Sequence, residues 1–553
     1  MAKKELSGIT ILILALSIFL AMMPLSADSQ PQSSLPKWSI LIYLDADNNL
    51  EEVGIEDMNE LEVVGSTDEV NVIAQFDRID GYDTSNGDWK GARRYYVTRD
   101  DDKAAITSTE LEDLGEVNMG APETLIDFVL WAVERYPAEH YLLDFWDHGG
   151  GWQGVCWDDT NNEDYLTLPE LEYALSAVRN KTKKSIDIAL FDACSMGSIE
   201  VLYQLRNHAD IIVASEATVP GDGCPYDKIL EFITNAPNTA KEDFAAKIVQ
   251  LYIESYSDGA SDPNDTPSVT MSAFKLRNFA ELTESIDRLN MMLAKKSALF
   301  PYGYNLQIVN SRNNAQQFLL VFVPSPFPNI LSSLIDLYDF VYELTRQPML
   351  DASIKDKAHE VLVAFDELKI SEAHGSGYSD AHGLTVYFPN EITTEYRANY
   401  DEIAFAADKY WNEFIHCVNS RQNAEDTPPT CLITAPEHWE VIHTEYYQIE
   451  GCAFDIESLQ EVQIKIDNGN WVTVEGRENW TYHYHWRTSA PGMHRICARS
   501  FDGTQYSTEF EIEVEVIIPK AGEGAAAGIS PLMIIGVGAG IVVLALAIRR
   551  FVS

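Results

Sequence analysis

The chain holds 553 residues, too many for one ordinary hydrophobic core and enough for two to four domains. Hydrophobic residues make up 46% and aromatics 11%, which places most of it among folded rather than disordered chains. Acidic residues number 86 against 39 basic ones, a formal charge of −47 that repels phosphate backbones, argues against nucleic-acid binding and suits cationic substrates or divalent cations.

In chain order, Lys3 and Lys4 precede an apolar run from Ile9 to Met23, broken by Pro24 and followed by the small residues Ser26 and Ala27. This pattern predicts a secretory signal peptide over residues 1–27, with an uncleaved anchor as the alternative. Residues 36–418 then alternate apolar strands with amphipathic helices. Strands are predicted over 38–44, 70–76, 140–146, 186–191 and 210–215, with a sixth over 268–274. Helices are predicted over 50–64, 122–136, 169–178, 198–205 and 279–294, and an exposed hairpin over 89–98. Two long helical patterns follow (331–344 and 353–368), then a loop rich in Gly, Ser and His (371–382), a strand (384–388) and a closing helix (404–417). Continuous apolar strands alternating with helices imply an α/β fold with a mostly parallel sheet and helices on both faces.

The character changes near Arg421, and Asp426-Thr427-Pro428-Pro429 reads as a linker. Seven short alternating strands between 428 and 517 predict an all-β, immunoglobulin-like sandwich. Residues 518–530 form a Pro, Gly and Ala spacer. The uncharged stretch Ile529 to Ile548 can cross a bilayer as a helix; the transmembrane segment is taken as 531–548. Arg549 and Arg550 open a short tail, 549–553, expected on the cytoplasmic side. The expected location is therefore the cell membrane, with an extracellular ectodomain.

Seven cysteines leave at least one thiol without an intramolecular partner. Cys417, Cys431, Cys452 and Cys497 lie in or beside the sandwich, where at least one disulfide is expected.

Two strand ends carry chemistry. One reads Trp146-Asp147-His148-Gly149-Gly150-Gly151-Trp152, the other Asp192-Ala193-Cys194-Ser195-Met196-Gly197. In open α/β sheets ligands bind beyond the carboxyl ends of strands. His148 and Cys194 at neighbouring ends can form a base–nucleophile pair. The glycines after His148 leave amides accessible for an oxyanion hole. Cys194 also precedes a helix whose field favours a thiolate.

The segments Ile40 to Glu51, Asp147 to Trp152 and Phe191 to Gly197 resemble those of the clostripain-like cysteine peptidases. So do Pro225-Tyr226-Asp227, Gly383 to Pro389 and Tyr410-Trp411, in family order. The resemblance implies a caspase-like fold, so that 36–418 becomes the peptidase domain, and a His–Cys dyad of His148 and Cys194. Gly149 and the Cys194 backbone would supply the oxyanion donors. Relatives are often activated by a cut between the His and Cys strands. Here Gln153 to Leu168 holds no Lys or Arg, and the nearest basic cluster is Arg179, Lys181, Lys183 and Lys184.

Asp192 lies two residues before Cys194, which places its carboxylate beside the thiol, where it would raise the thiol pKa. Such a charge fits a pocket for a cationic substrate side chain, with Asp222 as a second carboxylate. The resemblance points the same way, toward cleavage after Arg or Lys; the competing reading makes Asp192 a helix cap and Asp222 a turn residue. Asp45, Asp47 and Asn49 resemble part of a calcium loop without its Gly and distal Glu, and read as a solvated strand-end loop. Calcium is thus only weakly supported, and no cofactor is expected for the chemistry. His483 and His485 share one strand face, a possible metal pair that an outward polar face of the sandwich explains at least as well. The leading expectation is a surface-anchored cysteine endopeptidase acting on proteins or peptides with basic residues. The alternatives are a catalytically silent caspase-like surface binding protein and a metallohydrolase using Asp45, Asp47 and His148.

Overall fold

The computed structural model describes residues 35–518 except 258–267, 300, 319–333, 391–398, 420–428, 437, 455–458, 478, 487–490 and 508. The expected signal peptide, the transmembrane segment and tail, nearly all of the spacer before them and most of the 426–429 linker lie outside the described residues. Among the described residues no helix is long and apolar enough to cross a membrane.

Strand β1 (Trp38–Ala46) is buried along its whole length, as a strand covered on both faces must be. Helix α1 (Glu51–Val64) leads to β2 (Val70–Arg78), and β3 (Ala92–Tyr96) and β4 (Thr109–Gly115) follow. Helix α2 (Pro122–Arg135) starts on a proline, whose missing N–H costs nothing in the first turn. Then come β5 (His140–Trp146) and a hairpin of β6 (Gly154–Asp158) and β7 (Asp164–Thr167). Helix α3 (Leu168–Thr182) is capped by Thr167 and Glu170, which bond each other's backbone. The core continues through β8 (Ile186–Asp192), α4 (Ile199–Leu205) and β9 (Ala209–Ala214). Next are α5 (Tyr226–Asn235), α6 (Lys241–Ser257), β10 (Thr270–Lys275), α7 (Phe279–Leu299) and α8 (Pro301–Asn314). The last stretch holds β11 (Gln317–Phe318), β12 (Leu334–Asp336), α9 (Leu337–Arg346), α10 (Ala352–Leu368), β13 (Lys369–His374), β14 (Thr385–Tyr387), α11 (Ala404–Asp408) and α12 (Trp411–Asn419).

The main sheet has nine strands in the order β13-β10-β9-β8-β5-β1-β2-β3-β4. The central run from β9 to β2 is parallel, and the two flanks are antiparallel. Separate apolar cores cover its two faces, one built with α2, α3 and α4, the other with α1, α5 and α6. From β1 the chain runs outward to β2 on one side and to β5, β8 and β9 on the other, so the order reverses between β1 and β5. Beyond the carboxyl ends of strands at such a reversal lies the crevice where α/β proteins bind ligands.

Several expectations are corrected. The segment 89–98 is not an exposed hairpin but contains β3, which extends the sheet from β2. Its arginines look solvated in sequence, yet Arg94 is 2% exposed and pairs with Glu112 and Asp127. The strand at 268–274 runs antiparallel to its neighbours, and β13 occupies the start of the expected 371–382 loop. Of the helical pattern 331–344, residues 334–336 form strand β12. The Asp336 carboxylate accepts from the Asp339 N–H at 2.6 Å, and that cap starts the helix at Leu337. The closing helix is broken into α11 and α12.

Residues 430–516 form two sheets of four and five strands, predominantly antiparallel, over one core that includes Ile433, Ile449, Trp480, Val462, Ile496 and Ile512. Ala294, Tyr410 and Cys417 of the α/β body belong to that same core, and Tyr410 stacks on Phe510 at 4.7 Å. No disulfide joins any of the seven cysteines. Cys431 pairs in register with Ala453, and Cys452 with Leu432, so the two thiols leave opposite faces of their sheet.

Candidate active site

Strands β5 and β8 are parallel neighbours, with Trp146 level with Asp192. The ladder runs one step further, where Asp147 N–H donates to Asp192 C=O at 3.3 Å. His148 and Cys194 therefore leave the sheet at matching positions on the same edge. Both line one cleft of about 340 Å³, together with Asn49, Leu50, Trp146, Asp192, Val219 and Gly223.

The His148 segment is held from below. Asp147 is buried; its carboxylate accepts from Asn48 Nδ2 at 2.7 Å and from the Trp157 N–H. His148 C=O accepts from Cys156 N–H at 3.3 Å. The imidazole Nε2 lies 2.8 Å from Asn49 Oδ1, an acceptor, which makes Nε2 the protonated nitrogen. The lone pair that can take a proton is then on Nδ1. Burial pushes the His148 pKa down to about 4, so the ring is neutral at ordinary pH.

The thiol is held by Val219, whose N–H donates to Sγ at 3.3 Å. Burial pushes the Cys194 pKa up to about 11; the Val219 hydrogen bond works against this and the charge of Asp192 adds to it. The expectation that Asp192 raises the thiol pKa holds in direction, but burial is the larger cause. The expected helix field does not favour a thiolate here. Helix α4 begins only at Ile199, five residues past Cys194, and a helix field fades within its first turn. At rest the cleft holds a neutral thiol and a neutral imidazole.

Gly149 packs directly against Cys194: a Cβ there would sit 2.2 Å from Cys194 O and 2.8 Å from Cys194 N. Only glycine lets these two backbones meet. Gly149 faces Val155 across an isolated bridge whose hydrogen bonds are made by the residues on either side, so its own N–H takes no part.

Asp192 lines the cleft, as expected, while Asp222 does not. Asp222 is exposed on the rim, close enough to Glu56 to raise the pKa of that carboxyl. Instead, Asp57 and Asp144 stand behind Asp192, and all three are nearly or fully buried. Trp146 Nε1 donates to Asp57 Oδ2 at 2.6 Å, and Cys224 N–H donates to Asp192 Oδ2 at 2.8 Å. The Tyr226 hydroxyl lies 2.6 Å from Asp144 Oδ2 and 2.9 Å from Asp192 Oδ2. Gly223, at φ +54°, roofs this group: a Cβ would come within 2.8 Å of Asp192 Oδ2 and 3.3 Å of Asp57 Oδ2.

A second acidic group lies beside the loop that carries Asn49. Oxygens of Asp47, Asp77, Glu116 and Asp158 lie within 4.8 Å of one another. Asp45 and Asp47 are buried, which corrects their reading as a solvated loop. Asp45 and Asn49 are not members of the cluster, and neither is His148, so the expected ligand sets do not assemble. Asp77 is buried, and its Oδ2 has no hydrogen-bond partner. Among the described residues no Lys, Arg or His forms an ion pair with any of the four. Such a set of converging oxygens could hold a hard divalent cation. His485 stacks on Tyr446 in the sandwich and joins no such group. The basic cluster 179–184 closes α3 and leads into the amino end of β8, the end away from Cys194.

Sequence reasoning missed Val219, Asn49 as the histidine's partner, and Asp57, Asp144 and Tyr226. A backbone amide leaves no trace in sequence. Tyr226 lay within a quoted motif but without a role.

The family model described as the clostripain family matches residues 42–420. Clostripain of Hathewaya histolytica is 26% identical over 408 residues, covering 64% of this chain and 75% of that one. Among solved structures, an inactive zymogen C11 protease from Parabacteroides distasonis is 20% identical, covers 68% of this chain and 99% of that chain, and superposes with a TM-score of 0.51. A secreted C11 cysteine protease from Bacteroides thetaiotaomicron, solved with an irreversible peptide inhibitor, is 21% identical over 69% of this chain and 99% of that chain, with a TM-score of 0.49.

Proposed function

Because the chain belongs to the clostripain family and is a cysteine-type endopeptidase, we propose that it cleaves proteins and peptides after Arg or Lys with a dyad of Cys194 and His148. The observation that carries this reading is that His148, Cys194 and the buried carboxylate of Asp192 line the same cleft. The body is read as caspase-like (36–418) and the 428–517 sandwich as immunoglobulin-like.

With a substrate bound, its cationic side chain reaches toward Asp192 and its carbonyl carbon lies over Sγ. His148 Nδ1 takes the thiol proton as Sγ attacks, so the ion pair forms during the reaction rather than before it. Oxygen becomes negative as the tetrahedral centre forms, and the amides of Gly149 and Cys194 are the donors assigned to it. The imidazolium then protonates the leaving amine. Water, deprotonated by the same Nδ1, releases the acyl group. Asn49 keeps the ring in the productive tautomer throughout.

Calcium fits the four-carboxylate cluster by donor type, and the orphaned oxygen of Asp77 supports the fit. Bound there, it would neutralise the buried charge and tie together the loops that hold Asn49 and Trp157. It supplies no part of the bond-breaking chemistry. The protein is further read as secreted by a signal peptide (1–27) and held in the cell membrane by 531–548.

The test is mass-spectrometric labelling by an arginyl peptide electrophile, combined with assays of Cys194→Ala and His148→Ala. Labelling is expected at Cys194 alone. Cys194→Ala should be inactive, and His148→Ala reduced by about 10²–10⁴-fold. Turnover by a folded Cys194→Ala protein would sink the dyad.

A further inference from the structure

The Tyr226 hydroxyl has one proton and two carboxylate neighbours, Asp144 Oδ2 at 2.6 Å and Asp192 Oδ2 at 2.9 Å. It can donate to only one of them. The other contact sets a phenol lone pair against a carboxylate oxygen and is repulsive, unless that carboxyl carries a proton and donates to the phenol. Both carboxyls are buried, and the Oδ1 atoms of Asp144 and Asp192 have no hydrogen-bond partner.

We propose that Asp144, Tyr226 and Asp192 share one extra proton, and that this proton leaves when a cationic substrate side chain reaches Asp192. Asp144 and Tyr226 are thus positioning residues, which set the charge of the specificity carboxylate. The proposal rests on the acidic-pocket reading given above. The step balances simply. A carboxyl proton passes to solvent, the guanidinium or ammonium of the substrate donates to Asp192 Oδ1, and Tyr226 O–H keeps a single acceptor.

The surroundings agree. The ionisable groups facing this trio are Asp57 and Glu60 from α1, Cys156 from β6, Cys194 and Cys224 from the loops, and Tyr252 and Tyr256 from α6. No lysine or arginine is among them, so nothing in the resting pocket compensates three ionised carboxyls. Burial raises the pKa of Asp192, and burial together with the charge of Asp192 raises those of Asp144 and Asp57. An empty pocket that stores a proton is closer to neutral than its composition suggests. It discriminates against uncharged side chains, which cannot replace the proton they would displace.

The experiment uses the full chain carrying Cys194→Ala, which binds without turnover. An N-acetylated tripeptide amide ending in arginine is titrated calorimetrically near neutral pH in two buffers of different ionisation enthalpy. Close to one proton should be released per peptide, and the affinity should rise nearly tenfold per pH unit over that range. The same peptide ending in norleucine should bind weakly and release none. A protonated-carboxyl band should vanish from the infrared difference spectrum on arginine binding, a readout that needs no further variant. Adding Asp144→Asn supplies a neutral donor to Tyr226, and proton release should then be lost while arginine still binds. Arginine binding without proton release, or release persisting in Asp144→Asn, overturns the shared proton and leaves the basic pocket standing. Equal binding of the arginine and norleucine peptides overturns the pocket reading itself.

Discussion

The chain gathers two groups of carboxylates, one wholly buried and the other buried except for Glu116, and they solve the same electrostatic problem differently. In the group of Asp47, Asp77, Glu116 and Asp158, oxygens converge on a common point, while Thr160, Asn161 and Met119 donate to them from outside. Their spacing, all within 4.8 Å of one another, suits a cation. In the group of Asp57, Asp144 and Asp192 the carboxylates do not converge on such a point. Tyr226 bridges Asp144 and Asp192, Trp146 holds Asp57 beside them, and one edge of the group opens into the cleft. A proton settles that group until a substrate cation replaces it. On the two proposals above, clusters of like composition serve different ends, decided by whether their oxygens converge on one point or line a cleft.

The sharpest way to break this contrast is Asp192→Asn. Removing one partner of a buried charge pair typically costs about 2–5 kcal/mol. kcat/KM for arginyl peptides should therefore fall by roughly 10²-fold or more, and alanyl peptides should be little affected. Matched peptide kinetics decide it; an undiminished Arg preference would remove the floor from specificity. Asp77→Asn probes the other group. Calcium at a hundredfold excess over its dissociation constant should stabilise the wild type by about 2.7 kcal/mol, read as an upward shift in Tm, and the shift should be lost in the variant. A wild-type Tm indifferent to calcium and to chelator would exclude the cation.

A pH profile separates the clusters from the dyad. With His148 at about pKa 4, the base stays competent well below the usual histidine range. For alanyl peptides, kcat/KM should hold as pH falls toward that value, while for arginyl peptides it should decline earlier because protons compete for the floor. Stability runs in the same direction for His148. An unfolded histidine takes up a proton near pH 6.5 and the folded one only near 4, so this group costs stability as pH falls through that window. Asn49→Ala removes one hydrogen bond to the ring and should lower kcat by up to about tenfold with KM nearly constant. Asp222→Asn should change specificity less than about twofold, since an exposed charge is screened.

Legibility in the sequence followed chain proximity. His148 and Cys194 could be read because each ends an apolar strand, and their pairing follows from the neighbouring positions of β5 and β8. Asp192 could be read because it shares a strand end with the thiol. Asp77 and Glu116 could not, because they meet Asp47 only once β1 and β2 pair and the β4 loop folds back. The parallel centre of the sheet was visible in its continuous apolar runs. The antiparallel flanks were hidden by polar residues such as Arg94, whose partners Glu112 and Asp127 lie elsewhere in the chain. The Val219 amide, common to every residue, carries no signal at all.

The shared core beneath Tyr410 and Phe510 has a practical meaning for anyone who wishes to isolate the catalytic body. Cutting the chain near residue 420 would not separate two independently wetted units. It would strip the cover from Ala294, Tyr410 and Cys417 and leave a sticky scar on the side formed by α7 and α12. The truncated enzyme would be prone to self-association however intact its cleft. Solubility of the peptidase is in this sense a property of the sandwich.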